Sequence, residues 1–425
     1  MSTPQTPAPT PSTDAATPVP ADLQDERLIA SQGVGGWVSS TWERVKSGDL
    51  GSLPVVVGLI LIWGVFYALN PAFLSSRNLV NLTTQMVPIG TLALGVVLVL
   101  LLGEIDLSIG SMSGLSGAVL TVLFVNQGMN IWVAVVAALA TGVVVGLVYG
   151  LIFNRFGVPS FVISLAGLLA LLGFQLRVLG SEGTINIPFE SSLVQFASQK
   201  FFADWLSYVV AVGVPMIYLL VRVVTNRRRA AAGLSAQPIA TMAIRSGLLA
   251  ALLVVAVYVL NRDRGLSYMV ALFLALVVIM DLVIRRTTWG RSVLAIGGNV
   301  EAARRAGINV KRVYLTVFTL CSTFAALGGI FAAARLASAN QSSGGADTNL
   351  NAIAAAVIGG TSLFGGRGSA YSALLGILVI YSISNGLALL SVSADVRYVV
   401  TGAVLLLAVI IDSLSRRSRA AHGRA

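Results

Sequence analysis

Long apolar runs, separated by short polar or glycine- and proline-containing breaks, occupy the chain from residue 53 onward. Most runs are about 20 residues long, the length at which a helix crosses the hydrocarbon core of a bilayer. The pattern predicts an all-α, polytopic membrane protein with about 12 transmembrane segments, one of them a candidate re-entrant segment. The predicted segments are 53–70, 85–103, 107–125, 131–153, 160–180, 206–222, 243–261, 266–284, 313–334, 352–366, 370–390 and 396–411.

The run at 352–366 is the shortest of these segments, and two glycine pairs interrupt it, Gly359-Gly360 and Gly365-Gly366. Glycine weakens a helix interior, and irregular backbone at membrane depth is tolerated only where protein or a cavity surrounds it. A full crossing and a re-entrant or broken helix are therefore both compatible with this run.

The first 50 residues differ in composition from the rest of the chain, with six prolines among Thr, Ser and Ala in residues 1–20. Such a segment cannot bury enough apolar surface to offset its ordering entropy, so 1–50 is predicted to be a disordered Pro/Thr-rich N-terminus. Trp37 and Trp42 lie on a helical stripe within it, which indicates either an interfacial helix or an ordinary linker. Residues 51–412 are assigned to a transmembrane domain and 413–425 to a basic tail.

Composition and charge support a membrane location. Apolar residues make up 56% of the 425 and charged residues 11%, against roughly 45–50% and about 25% in soluble domains. The net charge of +11 does not indicate nucleic-acid binding, because the Lys and Arg form short clusters between apolar runs without interleaved aromatics. With a cytoplasmic N-terminus, 21 of the 28 Lys and Arg fall on the inside. The chain is therefore predicted to be a multi-pass plasma (inner) membrane protein with both termini in the cytoplasm.

Few side chains of the sequence could support catalysis or bind a metal. Cys321 and His422 are the only residues of their types, so neither a disulfide framework nor a Cys-ligated metal site is predicted. None of the three lysines, Lys46, Lys200 and Lys311, follows the glycine that a phosphate-binding loop requires. No catalytic or metal-binding residue is assigned, and the chain is not predicted to be an enzyme.

Two carboxylates follow an unbroken apolar run between Gly103 and Ser111. Acids at the centre of a membrane helix cost roughly 2.5–3.5 kcal/mol each, and less near an interface. One interpretation is capping, in which Asp106 accepts the backbone N–H of Ser108 or Ile109 and Glu104 is solvated at the interface. The other is a role in a translocation path or in coupling, for which the candidates are Glu104, Asp106, Ser108, Gly110 and Ser111.

Small residues break another apolar run late in the chain. The candidates in this second break are Gly359, Gly360, Thr361 and Ser362. Two breaks in opposite halves of a membrane protein suggest an internal repeat with a path between the halves.

The loop 285–312 contains a polar, basic island between apolar runs. It reads E-A-A-x-x-x-G from Glu301 to Gly307, which predicts a short Ala-rich helix ended by a glycine. A helix of this kind is a candidate docking surface for a soluble motor, and it places the energy source on another polypeptide.

Several of these motifs together resemble the permease subunits of bacterial ABC sugar importers. The motifs are Gly103 to Ser111, the stretch 297–308, Ala334 to Ser338, and Gly359 to Ser362 with Gly365 to Ser369. Within that family the chain is most similar to xylose-type and multiple-sugar permeases, which are relatives of the ribose permeases in the branched-chain amino acid permease superfamily. The resemblance covers roughly residues 53–415 and leaves the Pro/Thr-rich start unexplained.

The resemblance implies an ABC importer permease fold whose partners are a second permease copy, a cytoplasmic ATP-binding subunit, an extracytoplasmic sugar-binding protein and membrane lipid. ATP and Mg would bind the partner ATPase, with no cofactor in this chain. The implied ATPase-coupling loop consists of Gly298, Asn299, Glu301, Ala302, Ala303, Gly307 and Ile308. The I-x-L-P that follows this motif in another importer class is missing here, which favours the ribose/xylose branch.

Other functions remain open at this point. Within the superfamily, the alternative cargo is a nucleoside or a branched-chain amino acid. An ion-coupled secondary transporter would need carboxylates or histidines well inside the spans, and only Asp281 lies clearly within one. A passive channel would not need the segment from Glu301 to Gly307, and an intramembrane enzyme would need a nucleophile with a base or a metal cluster.

Overall fold

The computed structural model describes residues 53–234 and 238–421 of the chain. The predicted disordered segment 1–50 and the last residues of the predicted basic tail lie outside the described residues. The described chain divides into two compact units. One unit is Val209–Val254, and the other comprises the described residues on either side of it.

Helices form most of the described structure, as the apolar runs predict. They are α1 Leu53–Leu69, α2 Ser76–Leu101, α3 Ile109–Thr121, α4 Ile131–Phe156, α5 Ser160–Leu179, α6 Ser192–Val194, α7 Asp204–Ala231, α8 Ile239–Leu260, α9 Tyr268–Arg286, α10 Thr288–Gly298, α11 Val300–Arg305, α12 Val310–Leu336, α13 Ala346–Ile358, α14 Ala370–Leu389 and α15 Ala394–Ala421. The strands β1 Thr184–Asn186 and β2 Ser338–Asn340 form one antiparallel pair.

Each of the twelve apolar runs overlaps one of these helices. Nine helices in the described part of the chain are long and apolar enough to cross a membrane, with α3 counted together with the π-helical turn that continues it to Asn126. Helix α1 is apolar but shorter, at 17 residues, and α13 has only 13 residues. The all-α, polytopic architecture is therefore confirmed.

Helix α2 begins at Ser76, well before the apolar run that starts at residue 85. The Ser75 side chain caps the first turn by accepting the N–H of Asn78. The Asn78 amide then exchanges two hydrogen bonds with the Asn385 amide of α14, at 2.7 and 3.0 Å. Val80 and Leu82 are buried in these first turns, but the polar residues around them lower the local hydropathy, so hydropathy alone locates the start of α2 too late.

Helices α2 and α12 are the most enclosed of the candidate spans in the described residues. Glycines spaced by four on α4 allow the backbone of α12 to approach closely. A Cβ at Gly142 would lie 2.6 Å from the carbonyl oxygen of Ser322, and one at Gly146 would lie 2.5 Å from that of Phe318. The G-x-x-x-G motif of this helix is therefore a packing surface.

Contacts between connecting segments fall into two groups, one at each end of the helices. At the strand end, β1 pairs with β2, and the Asn70 side chain donates to the carbonyl of Leu389 at 3.3 Å. We call the opposite end the glycine end, because Gly103, Gly297, Gly365 and Gly366 lie there. At this end the Gly366 N–H donates to the carbonyl of Leu101 at 2.9 Å. The topology predicted from the Lys and Arg bias is consistent with both groups of contacts. It places the segments that meet at the strand end outside, and those that meet at the glycine end in the cytoplasm.

The segment predicted at 352–366 is helical only as far as Ile358. Its helix, α13, covers Ala346–Ile358 and ends at Gly359 and Gly360, where Gly360 has a φ of 102°. The chain between α12 and α14 passes from the strand end, through β2 and a turn, into α13 and on to the glycine end. The run 352–366 is therefore interrupted at its first glycine pair, and residues 359–366 are not helical.

Candidate functional site

Three glycine-containing connections meet at the glycine end, and we call this contact the glycine junction. It joins the end of α2 at Leu101 to the end of α10 at Gly297 and the loop before α14 at Gly365 and Gly366. A Cβ at Gly297 would overlap the Leu101 carbonyl oxygen and lie 2.5 Å from the Gly366 nitrogen. Backbone therefore touches backbone here, with no flexible side chain to adjust between the segments.

The glycine junction links the two breaks that the sequence places in opposite halves of the chain. A Cβ at Gly365 would lie 2.7 Å from the Gly297 carbonyl oxygen and 2.9 Å from the Gly103 nitrogen. Gly297 directly precedes Gly298, the first residue of the predicted coupling loop. Contact of this kind is suited to transmitting movement rather than to chemistry.

The predicted docking helix is α11, and its two ends are capped locally. The Asn299 side chain accepts the N–H of Ala302 at 2.9 Å. At the other end the N–H of Gly307 donates to the backbone carbonyl of Arg304 at 3.0 Å, and the N–H of Ile308 donates to the backbone carbonyl of Ala303 at 3.1 Å. This is the Schellman arrangement, and Gly307 has the left-handed φ of 80° that it requires. The predicted glycine stop is confirmed.

The solvent-facing side of α11 carries charge of both signs. Glu301 pairs with Arg304 at 3.0 Å and with Arg305 at 3.6 Å, and all three side chains are more than half exposed. Exposed ion pairs of this kind contribute roughly 0–1 kcal/mol each, so they do not account for the position of α11. Ala302 is exposed, whereas Ala303 is buried and anchors the helix.

The structure supplies the capping contact expected of Asp106. Its Oδ1 accepts the N–H of Ser108 at 2.8 Å and the Ser108 hydroxyl at 2.7 Å, just before α3 begins. The Tyr149 hydroxyl donates to Ser108 Oγ at 3.0 Å, and Cys321 Sγ lies 3.8 Å from the other carboxylate oxygen. Asp106 is 3% exposed, so this network replaces the water that a buried carboxylate has lost.

Glu104 differs from the solvated residue of the capping interpretation. It is half-buried between α2 and α3, and the Ser160 hydroxyl donates to its Oε2 at 2.6 Å. Burial raises the pKa of the Glu104 carboxyl, while hydrogen bonds from Ser160 and Tyr314 act in the opposite direction. The carboxylate thus connects the segment before α3 to the first residue of α5.

Gly110 and Ser111 belong to a packed interface rather than to an open path. A Cβ at Gly110 would lie 2.8 Å from the Gly344 carbonyl oxygen and 3.0 Å from the Asn349 Cβ. The Asn349 amide donates to the Leu107 carbonyl at 2.6 Å, and Ser111 is buried. Sequence reasoning missed Asn349 and Gly344, because nothing local to them indicates a partner in α3.

The four candidates of the second break lie in the loop between α13 and α14. Gly359 packs against the Ser372 backbone, and the Ser362 N–H donates to the Arg367 carbonyl at 3.0 Å. The structure brings this loop to Gly103 through Phe364 and Gly365, rather than through Gly359, Gly360, Thr361 or Ser362. Thr361 is buried.

Asp281, the acid predicted inside a span, forms an ion pair with Arg285 of the same helix at 2.9 Å. A carboxylate already paired with a cation one turn away is poorly placed to bind and release a coupling ion. This contact weighs against the ion-coupled alternative.

Comparison with known proteins agrees with the architecture. A sequence profile described as the permease component of branched-chain amino acid transport systems matches residues 78–409. The xylose transport system permease protein XylH of Haemophilus influenzae is 34% identical over 88% of this chain and 99% of its own length. The Escherichia coli K12 XylH is 35% identical over 89% and 96%, and the ribose import permease protein RbsC of that strain is 32% identical over 84% and 92%. No solved structure matches the chain.

The profile match covers most of the chain and spans both glycine breaks, α11 and every candidate residue between them. The relatives exceed 30% identity over nearly their whole lengths. The chain therefore belongs to the family of permease components of branched-chain amino acid transport systems.

Proposed function

We propose that this chain is the membrane-spanning permease subunit of an ATP-driven monosaccharide importer, with xylose or a related sugar as the cargo. The similarity to two xylose permeases, over 99% and 96% of their lengths, carries the proposal. A match of that extent indicates a shared subunit architecture rather than one shared segment.

The mechanism that we propose is alternating access driven by a separate, cytoplasmic ATP-binding subunit. That subunit would hold ATP and Mg and would dock on the exposed surface of α11. Closure of the motor would displace α11, and the glycine junction would pass the displacement to α2 and to the loop before α14. Support comes from the position of Gly297, immediately before α11 and against the Leu101 backbone.

The remaining partners follow from the same proposal. A second permease copy would complete the path, and an extracytoplasmic sugar-binding protein would deliver the cargo at the strand end. Membrane lipid would cover the apolar side chains that the described helices expose, such as Ile60, Leu169 and Ile217, which are more than 60% exposed.

The orientation that we propose places the glycine end and both termini in the cytoplasm. In a Cys321→Ala background, a cysteine at Ala230 is expected to react with a membrane-impermeant thiol reagent only from the cytoplasmic side. A cysteine at Glu190 is expected to react only from outside. Both positions are exposed, so accessibility to the reagent reports the side of the membrane, and reaction of both from one side would contradict the topology.

Sugar recognition is expected to reside mainly in the binding protein, since the permease must release its cargo. Purified permease titrated with pentoses and hexoses should therefore show no saturable site tighter than about 1 mM, equivalent to roughly −4 kcal/mol. Liposomes that also contain the cognate ATPase and binding protein should take up xylose only with ATP. Tight binding by the permease alone, or uptake driven by a proton gradient without ATP, would contradict the proposal.

A branched-chain amino acid is the second candidate cargo, because the matching family consists of permease components of branched-chain amino acid transport systems. The same liposomes distinguish the two cargoes, since leucine or valine offered with its own binding protein should not be taken up. Uptake of the amino acid without uptake of xylose would favour this second candidate.

A further inference from the structure

An open cavity of about 410 Å³ lies between α13, α14 and α15. It is at the strand-end half of these helices, because its Ser384 is close to Leu389, where α14 ends. None of the sequence-predicted site residues lines it. Its polar lining side chains are Asp347, Asn351, Ser384, Arg397 and Thr401.

The polar lining fits a neutral ligand with many hydroxyl groups. It has one acid and one base, so it does not select strongly for an anion or a cation. The amide of Asn351 and the hydroxyl of Ser384 can each donate and accept hydrogen bonds, as a sugar hydroxyl does. The Thr401 hydroxyl donates to the Arg397 carbonyl at 2.8 Å and can still accept a hydrogen bond. Recognition of hydroxyls requires such convergent polar groups.

The remaining lining includes Leu350 and Tyr398, which offer apolar surface to the C–H faces of a sugar ring. They are 56% and 64% exposed in the single chain, so this chain would enclose a ligand only in part. The volume is within the range of roughly 300–1,000 Å³ found for small-molecule sites. A site that combines sufficient volume with incomplete desolvation suits weak binding during transit.

We propose that this cavity is a low-affinity transit site that receives the monosaccharide from the extracytoplasmic side before the permease opens inward. The inference rests on the proposed function and adds the residues that hold the cargo. Asp347, Asn351 and Arg397 provide the hydrogen bonds, and Tyr398 provides the apolar contact.

Gly402 allows a graded test, because it lines the cavity and a Cβ there would meet no atom within 4 Å. Gly402→Trp should fill the cavity and reduce ATP-driven xylose uptake in the reconstituted system by at least about tenfold. The matched control Gly402→Ala should leave uptake unchanged. ATP hydrolysis stimulated by the binding protein should persist in both variants, since the glycine junction is untouched. Equal uptake by the Trp and Ala variants would overturn the proposal.

A second measurement keeps the proposal testable where the Trp variant fails to insert. In the Cys321→Ala background, Ser384→Cys should react with a small thiol reagent, and tens of millimolar xylose should slow that reaction at least threefold. Leucine at the same concentration should not. A matched cysteine at Asp263, exposed and outside the cavity, should be unaffected by sugar. Absence of protection at Ser384 would overturn the proposal.

Failure of the inference is distinguishable from failure of the proposed function. If the unsubstituted transporter takes up xylose but the cavity variants behave like their controls, only the transit site is wrong. If the unsubstituted transporter takes up no sugar, the proposed function itself is wrong, and protection of Ser384→Cys by leucine would identify the cavity as an amino acid site.

Discussion

Replacement of Gly297 by alanine is expected to reduce ATP-driven uptake at least about tenfold, because overpacking costs roughly 1–3 kcal/mol and more where backbone meets backbone. The new Cβ would overlap the Leu101 carbonyl oxygen and crowd the Gly366 nitrogen. The segments would have to separate, which would loosen the contact between α2 and α10, the helix that leads into the docking helix. Uptake and binding-protein-stimulated ATP hydrolysis in liposomes measure the effect.

A glycine outside the predicted coupling loop provides the control. A Cβ at Gly173 in α5 would meet no atom within 4 Å, so Gly173→Ala should match the unsubstituted protein in uptake, yield and thermal stability. The informative outcome for Gly297→Ala is retained insertion with ATP hydrolysis that no longer drives uptake. Equal, normal uptake by the two alanine variants would show that the glycine junction does not transmit movement.

Local features of the fold could be predicted from the sequence, because their signals lie within a few residues of each other. The stop of α11 at Gly307 depends only on the glycine and the turn before it. The Asp106 contact to Ser108 likewise joins residues two positions apart. Apolar runs of spanning length likewise predicted the helices α2 to α5.

Features that depend on distant contacts could not be predicted. Gly297 and Gly298 are neighbouring glycines that the sequence cannot tell apart. In the structure, only Gly297 lies against the Leu101 backbone, where a Cβ has no room. The early start of α2 needs Asn385, which is 307 positions from Asn78. The fit of Gly110 against Asn349 depends on where β2 and α13 run beside α3. Hydropathy contains no information about these partners.

This distinction explains why the sequence located both breaks but did not show which of their glycines touch each other. The breaks are visible as interruptions of apolar runs, and small residues mark both of them. Gly359 to Ser362 and Gly365 to Ser369 look alike as sequences. Only the fold of the loop, in which Ser362 bonds back to Arg367, presents Gly365 and Gly366 to Gly103 and Gly297.

Replacement of Gly307 by valine is expected to abolish ATP-driven uptake while leaving membrane insertion intact. The left-handed backbone at this position, with a φ of 80°, costs an L-residue roughly 1–2 kcal/mol, and a β-branched side chain is least tolerant of it. The Schellman bonds from Gly307 and Ile308 would break, and the end of α11 would unwind. Coupled uptake in liposomes and membrane content of the protein are the two measurements.

Gly307→Asn is the matched control, because asparagine adopts the left-handed conformation more readily than other L-residues. A Cβ at Gly307 would meet no atom within 4 Å, so neither variant introduces a clash at Cβ. Asparagine, which tolerates the left-handed backbone, should retain most of the uptake. Glu301→Lys tests the same surface without backbone strain, since it replaces the ion pairs to Arg304 and Arg305 by three like charges. It should insert normally and fail to couple. Normal ATP-dependent uptake by Gly307→Val and Glu301→Lys would mean that α11 is a solvated loop helix with no motor docked on it.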